Sequence, residues 1–328
     1  MSRYPSMTFA TVGTSWITEK FISAAKKQGW TLAAAYSRHE DSARAFAAKH
    51  GAPLFFTSLE DMAACDAFRT VYIASPNAFH FEQSRFFLQR GKHVLCEKPL
   101  TTTKAEAETL FAEAEARGLT VAEAIMSIHR PAFGLLREEL KALGNVRTAY
   151  FNFCQLSSKY PAFLRGETPN IFNPAMHAGC LMDIGVYNVY LAAALFGKPD
   201  RIQSAATFLS SGADSAGAAL LSYPDLTVSL SFSKTAQQFA PSEIVGDKGT
   251  LQIDSVSQLT GIDRIADGKK TNLVPADVSR DEVMGAEARF FADTVEHGKD
   301  ERYAFAQETC LTVREIMDEI RMQNGFGF

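Results

Sequence analysis

The sequence predicts an α/β protein: a doubly wound parallel sheet in residues 1–123, then an α+β domain, residues 124–328, with a large, mostly antiparallel open sheet. Three observations carry that prediction. Short apolar runs alternate with amphipathic stretches through the first 125 residues, and several of those stretches close on Gly. No long helical pattern then separates the strand-like runs from Arg201 to Pro275, so those strands pair mostly antiparallel.

Taken in order, Thr8–Val12 reads as the first strand and 17–28 as the first helix, closed by Gly29. Further strands fall at Thr31–Tyr36, Leu54–Phe56, 70–74, 92–97 and 119–124. The helices between them cover 41–49, a piece from Leu59, 77–90 and 104–117, with Gly51, Gly91 and Gly118 as stops. After Pro131 the rhythm changes: a helix at 134–143, an alternating strand at 146–155, then a long polar stretch, 156–178, of the kind that borders a binding site. A helix at 181–196 ends at Gly197 and Pro199. Strand-like runs follow at 203–211, 216–223, 227–234, Ser242–Gly246, 250–254 and 258–265, and helices at 283–296 and 305–323 finish the chain.

Composition sets the bounds. The 328 residues suit two domains, and 46% hydrophobic against 21% charged is globular. A net charge of −4 disfavours nucleic acid as partner, and no unbroken apolar run approaches the roughly 20 residues of a bilayer span, so no membrane partner is expected. No signal-peptide pattern opens the chain, and the five scattered cysteines read as reduced thiols, which points to the cytoplasm. The seven histidines show no metal-ligand spacing, so no metal is expected. Phe is over-used, with 25 copies. Phe79, Phe81, Phe86, Phe87, Phe290 and Phe291 fall in helical patterns and read as core, whereas Phe163 and Phe172, in the long polar stretch, are candidates to face a substrate.

The first strand runs into Gly13-Thr14-Ser15-Trp16-Ile17, in the first βα turn, where backbone N–H groups and a helix N-terminus receive a pyrophosphate. Only the first glycine of G-x-G-x-x-G is present, and Gly13 alone is compatible with a plain tight turn. Ser15 is nearly as small as Gly and adds a hydroxyl donor. At the end of the second strand, Ser37-Arg38 stands where NAD-binding turns carry an acid for the ribose 2′-OH. An Arg there accommodates a 2′-phosphate, so NADP is favoured, with NAD the alternative. Ser75, Asn77 and His80 follow the fourth strand and Glu97-Lys98-Pro99 the fifth, all at the carboxyl edge where such sheets bind ligands. In the second half, Asp183 and Tyr187 stand at i and i+4 near a helix start, on one face. Alone, Asp183 could complement the helix dipole, Tyr187 fill a core and Lys98 be a surface charge.

E-K-P after the fifth strand, Pro76-Asn77 with His80, Glu123-Ala124 at the domain junction, and Gly179-x-Leu181-x-Asp183-x-Gly185-x-Tyr187 occur in one order. In this combination the sequence resembles the Gfo/Idh/MocA oxidoreductases, in the branch of glucose-fructose oxidoreductase and dimeric dihydrodiol dehydrogenase. The resemblance implies a Rossmann domain, a Lys98-Pro99 peptide that is often cis, and a second domain whose open sheet supports a homodimer or homotetramer. It places the family lysine on Lys98, its aspartate on Asp183 and its His-or-Tyr position on Tyr187. These three are the expected catalytic residues, with Asn173 a further substrate candidate and Glu97 and Lys98 joining the cofactor set. Ala178 replaces the first Gly of the later motif, and Ile128 stands where many members carry Arg. His129 and His177 stay open as substrate neighbours or structural residues. The expected reaction moves a hydride between nicotinamide and a CH–OH group of a sugar, polyol or related cyclic alcohol. The alternatives are a cofactor-binding regulator without catalysis, and redox-neutral sugar chemistry with bound NAD.

Overall fold

The computed structural model describes residues 7–328, and the chain divides into two compact units. The first takes the chain up to Met126 and, on its return, Ser279–Glu308; the second takes Ser127–Val278 and Thr309–Phe328. The sequence pattern suggests one crossing near Glu123, but the chain passes between units three times. The returning piece holds an apolar helix whose packing partner lies in the first unit.

In that unit β1 (Thr8–Val12), β2 (Thr31–Tyr36), β3 (Leu54–Phe56), β4 (Thr70–Ile73), β5 (His93–Glu97) and β6 (Val121–Ala124) form one sheet in the order β3-β2-β1-β4-β5-β6. Every pairing in it is parallel. β4 and β6 are buried along their whole length, as strands covered on both faces must be. Helices α1 (Trp16–Lys27), α2 (Glu40–His50), α3 (Leu59–Ala64), α4 (His80–Leu88) and α5 (Lys104–Ala116) make the crossovers. Their ends follow local chemistry. Ser58 caps α3 by accepting the Asp61 N–H, Thr103 and Glu106 form a reciprocal capping box on α5, and α2 ends on Gly51 in the left-handed region. The chain order reverses between β1 and β4, the position where sheets of this kind open a ligand crevice beyond their carboxyl ends.

The second unit contains α6 (Pro131–Ala142), β7 (Val146–Cys154), α7 (Tyr160–Leu164), α8 (Val186–Phe196), β8 (Arg201–Phe208), β9 (Asp214–Ser222), β10 (Thr227–Ser233), β11 (Ser242–Gly246), β12 (Gly249–Ser255), β13 (Thr260–Ala266) and β14 (Lys269–Val274). Its eight strands run β14-β13-β12-β11-β7-β10-β9-β8, antiparallel except for the β7–β10 pair. The edge strand β14, KKTNLV, is mostly exposed and has no apolar alternation, which is why the sequence pattern misses it. The stretch Pro174–Phe196 is long and apolar enough to cross a bilayer by length and composition alone, yet it is mostly buried within the protein. Its apolar side chains are spent on the core beneath the sheet.

Two helices complete the chain, α9 (Arg280–His297) and α10 (Glu301–Asn324). Ser279 caps α9 by accepting the Glu282 N–H at 3.2 Å. α9 packs along α1, and Trp30 meets Phe291 with ring centroids 6.3 Å apart. Phe9, Phe21 and Trp30 meet edge to face, and Phe21 stacks on Tyr72 at 3.8 Å. Phe87, Phe290 and Phe291 are buried as expected. Phe79 corrects the core reading, being 38% exposed at a helix start, and Phe86 is half-buried beneath the Arg90 guanidinium. Phe172 corrects the reading in the other direction. It is fully buried against Tyr160 and Phe163, an aromatic cluster that orders the long polar stretch.

Candidate active site

In the first unit the site begins where β1 ends. Gly13 has φ +108°, and a Cβ there would stand 2.6 Å from the Ala74 carbonyl oxygen at the end of β4. Only glycine closes this turn so near the neighbouring strand. Ser15 is the N-cap of α1, but its side chain makes no capping hydrogen bond; its hydroxyl lies 3.3 Å from that of Thr18. Trp16 is 61% exposed, and the Arg280 guanidinium sits 5.6 Å from its ring centre. A helix N-terminus with an arginine beside its first residue suits an anion. Ser37 and Arg38 follow β2 directly, with Arg38 exposed and its neighbour Glu40 paired instead to Arg44. Gly13, Thr14, Ser15, Trp16, Ile17, Ser37 and Arg38 therefore fit a dinucleotide bearing an extra phosphate.

Beside this turn lies a second set of groups whose side chains are turned inward. The His80 ring is buried, with Nδ1 2.8 Å from the Pro99 carbonyl and Nε2 2.8 Å from the Ser75 carbonyl. It ties the β4 loop to the turn after β5, while burial draws its pKa below the usual imidazole value. Ser75 donates to Gln83 Oε1 at 2.7 Å, and Asn77 opens a short 3-10 turn. The Glu97 carboxylate accepts the Tyr72 hydroxyl at 2.5 Å and the Lys98 backbone N–H at 3.2 Å. Burial raises the Glu97 pKa, and the Lys98 ammonium opposes that rise. Its side chain therefore orients the Lys98 turn from beneath, and the Lys98-Pro99 peptide is cis. Lys98 itself is half-buried at the carboxyl edge. Glu123 accepts the Leu100 N–H at 3.0 Å and holds the other side of the turn.

In the second unit, Leu181–Gly185 is a single π-helical turn leading into α8. The sequence reading expects one regular helix here; the wider turn inserts the irregular backbone that often accompanies a functional site. Asp183 lies in this turn and forms a close ion pair with Lys234, just past β10; Lys234 is 9% exposed and Asp183 26%. Tyr187 stands in the first turn of α8, 7% exposed, its ring 5.9 Å from that of Phe153. Asn173 Oδ1 accepts the Ala175 N–H at 3.0 Å and so caps a short turn. His177 takes φ +48° and stacks on Phe328 at 5.1 Å, and His129 is half-buried.

Sequence reasoning missed Lys234, Asp214 and Arg280. None stands in a motif, and only the fold brings each to its partner.

Comparison with known proteins gives the family and the fold. Residues 7–125 match the model of the oxidoreductase family with an NAD-binding Rossmann fold, and residues 138–252 match the GFO/IDH/MocA C-terminal domain. The chain belongs to the Gfo/Idh/MocA oxidoreductases. It is 41% identical over 322 residues, 98% of both chains, to the scyllo-inositol 2-dehydrogenase (NADP(+)) IolU of Bacillus subtilis. It is 31% identical over 227 residues to the trans-1,2-dihydrobenzene-1,2-diol dehydrogenase of Sus scrofa, covering 68% of this chain and 65% of that one. Among solved structures, a variant of the 3-ketoreductase KijD10 from Actinomadura kijaniata, in complex with TDP-benzene and NADP, superposes with a TM-score of 0.84 over 98% of both chains at 23% identity. That likeness speaks for the fold.

Proposed function

We propose that the protein is an NADP-dependent dehydrogenase of cyclic polyols, acting on a ring CH–OH in the manner of an inositol dehydrogenase. The observation that carries this reading is the 41% identity, over 98% of both chains, to a scyllo-inositol 2-dehydrogenase (NADP(+)). Arg38 at the position of the ribose acid supports the cofactor half of it.

The nicotinamide, when bound, supplies the hydride acceptor or donor. Residues 13–17 receive the pyrophosphate, and Ser37 and Arg38 hold the 2′-phosphate. Tyr187 exchanges the proton of the reacting hydroxyl. A free tyrosine, with a pKa of about 10, is a poor base at neutral pH, so this role requires the phenolate to be stabilised in the substrate complex. Lys98 also orients the reacting oxygen, while Asp183, held by Lys234, accepts a hydrogen bond from the substrate. The eight-stranded sheet would serve self-association as a homodimer or homotetramer, and five cysteines held as thiols would suit a reducing cytoplasm.

The test is a thermal-shift titration with NADP+ and NAD+, followed by NADPH formation with scyllo-inositol, myo-inositol and a panel of aldoses. Larger stabilisation by NAD+ overturns the cofactor assignment. Absence of turnover with every cyclic polyol overturns the substrate class.

A further inference from the structure

The turn that carries Asp183 is held from beneath by a side chain that no motif marks. Asp214, the first residue of β9, is 1% exposed. Its Oδ2 accepts the Leu181 N–H at 2.7 Å, and its buried Oδ1 meets no hydrogen-bonding partner among the described residues. The carboxyl has room only because residue 179 lacks a side chain: a Cβ there would stand 1.8 Å from Oδ1, on a backbone with φ +147°. The neighbour of Asp214 matters as well, because the Ser215 carbonyl accepts the Lys234 N–H at 2.9 Å. The facing ends of β9 and β10 thus hold both the anchor of the turn and the counter-ion of Asp183.

We propose that Asp214 is a positioning residue of the active site: lodged in the gap left by Gly179, it anchors the Leu181–Gly185 turn and sets where Asp183 stands against Lys234. The inference rests on the function proposed above, which gives Asp183 and Tyr187 their work on substrate.

The groups around this corner are Asp183 and Cys180 on the turn, Lys234 beyond β10 and Cys154 at the end of β7. Burial pushes the Cys180 thiol far up, so it stays neutral. Burial also raises Asp214 to about 7, against the pull of backbone N–H donors that include Leu181 and Cys180, and the Asp183 charge adds to the rise. Opening the turn to water returns Asp214 to an ordinary carboxylate and releases its proton. The closed turn therefore loses stability as pH rises from the usual carboxylate range to about 7, and no further above it.

Hydrogen exchange of the 179–187 segment in the full chain, corrected for intrinsic rates, tests this beside steady-state kinetics. In the wild type, opening should grow by up to about tenfold per pH unit below neutrality. Asp214→Asn should keep the turn protected, lose that pH dependence and restore most of the activity lost in Asp214→Ala. Asp214→Ala and Gly179→Ala should each lower kcat by about tenfold, with KM for the cofactor unchanged. The double variant should lose less than the two single losses combined, since the new methyl enters the vacated space and only the backbone strain at residue 179 remains. Additive losses in the double variant, or a pH dependence that survives in Asp214→Asn, would overturn the proposal. Absence of turnover by the wild type would instead remove the functional reading, while the exchange data still decide the role of Asp214.

Discussion

Lys98 owes its placement to three buried side chains: Glu97 and Glu123 accept backbone N–H groups on either side of the cis peptide, and His80 meets the Pro99 carbonyl. The proposed chemistry at the edge is checked one residue at a time. Tyr187→Phe keeps the ring that packs near Phe153 and removes only the hydroxyl. It should lower kcat by about 10² to 10⁴-fold while the melting temperature stays close to wild type, as read by kinetics and calorimetry. Arg38→Asp replaces the proposed phosphate partner with the acid that suits a ribose 2′-OH. It should weaken NADP+ by about tenfold to a hundredfold and favour NAD+, as read by titration with each cofactor. Lys98, Asp183 and Tyr187 could be proposed from the sequence because a local motif marks each. Lys234 and Asp214 could not, because their partners lie 51 and 33 residues away and no local spacing records a strand pairing.

At the scale of elements, most of both sheets was legible, since alternation of apolar runs and glycine stops writes strands and helices into local sequence. The π turn at Leu181–Gly185 and the polar edge strand β14 were not, because neither has a periodic signal. The least expected group belongs to α9. Glu287 is fully buried one turn before Phe291, and neither carboxyl oxygen has a hydrogen-bond partner among the described residues. Burial, reinforced by the Glu97 charge, pushes its pKa well above the usual carboxylate value. A carboxyl raised in this way favours the folded state at low pH, and that contribution is lost as pH rises toward its folded pKa. Glu287→Gln cannot ionise, so its melting temperature should decline less than that of the wild type between acid and alkaline pH. An identical decline in both proteins would count against the assignment.

For the whole molecule, binding arithmetic gives a direct check on the cofactor proposal. NADP+ at about 100 times its dissociation constant should add ~2.7 kcal/mol to the stability of the folded chain, and Arg38→Asp should lower that gain at the same concentration. The Rossmann half was readable as a continuous stretch, but its completion was not, because α9 is separated from α1 by more than two hundred residues of intervening chain. Local patterns identify a helix; they do not say which sheet it will cover.

That separation has a consequence for synthesis. The chain leaves the ribosome with its parallel sheet first, yet the helix that covers Trp30 and packs along α1 emerges only after the entire second sheet has been made. Throughout that interval the nascent first unit carries an uncovered apolar strip, a site for holdase chaperones or for aggregation. A chain terminated after Val278 should therefore accumulate as insoluble material, even though all six strands of its parallel sheet have been translated. Supplying residues 279–328 as a separate polypeptide during refolding should return it to solution, as read by sedimentation.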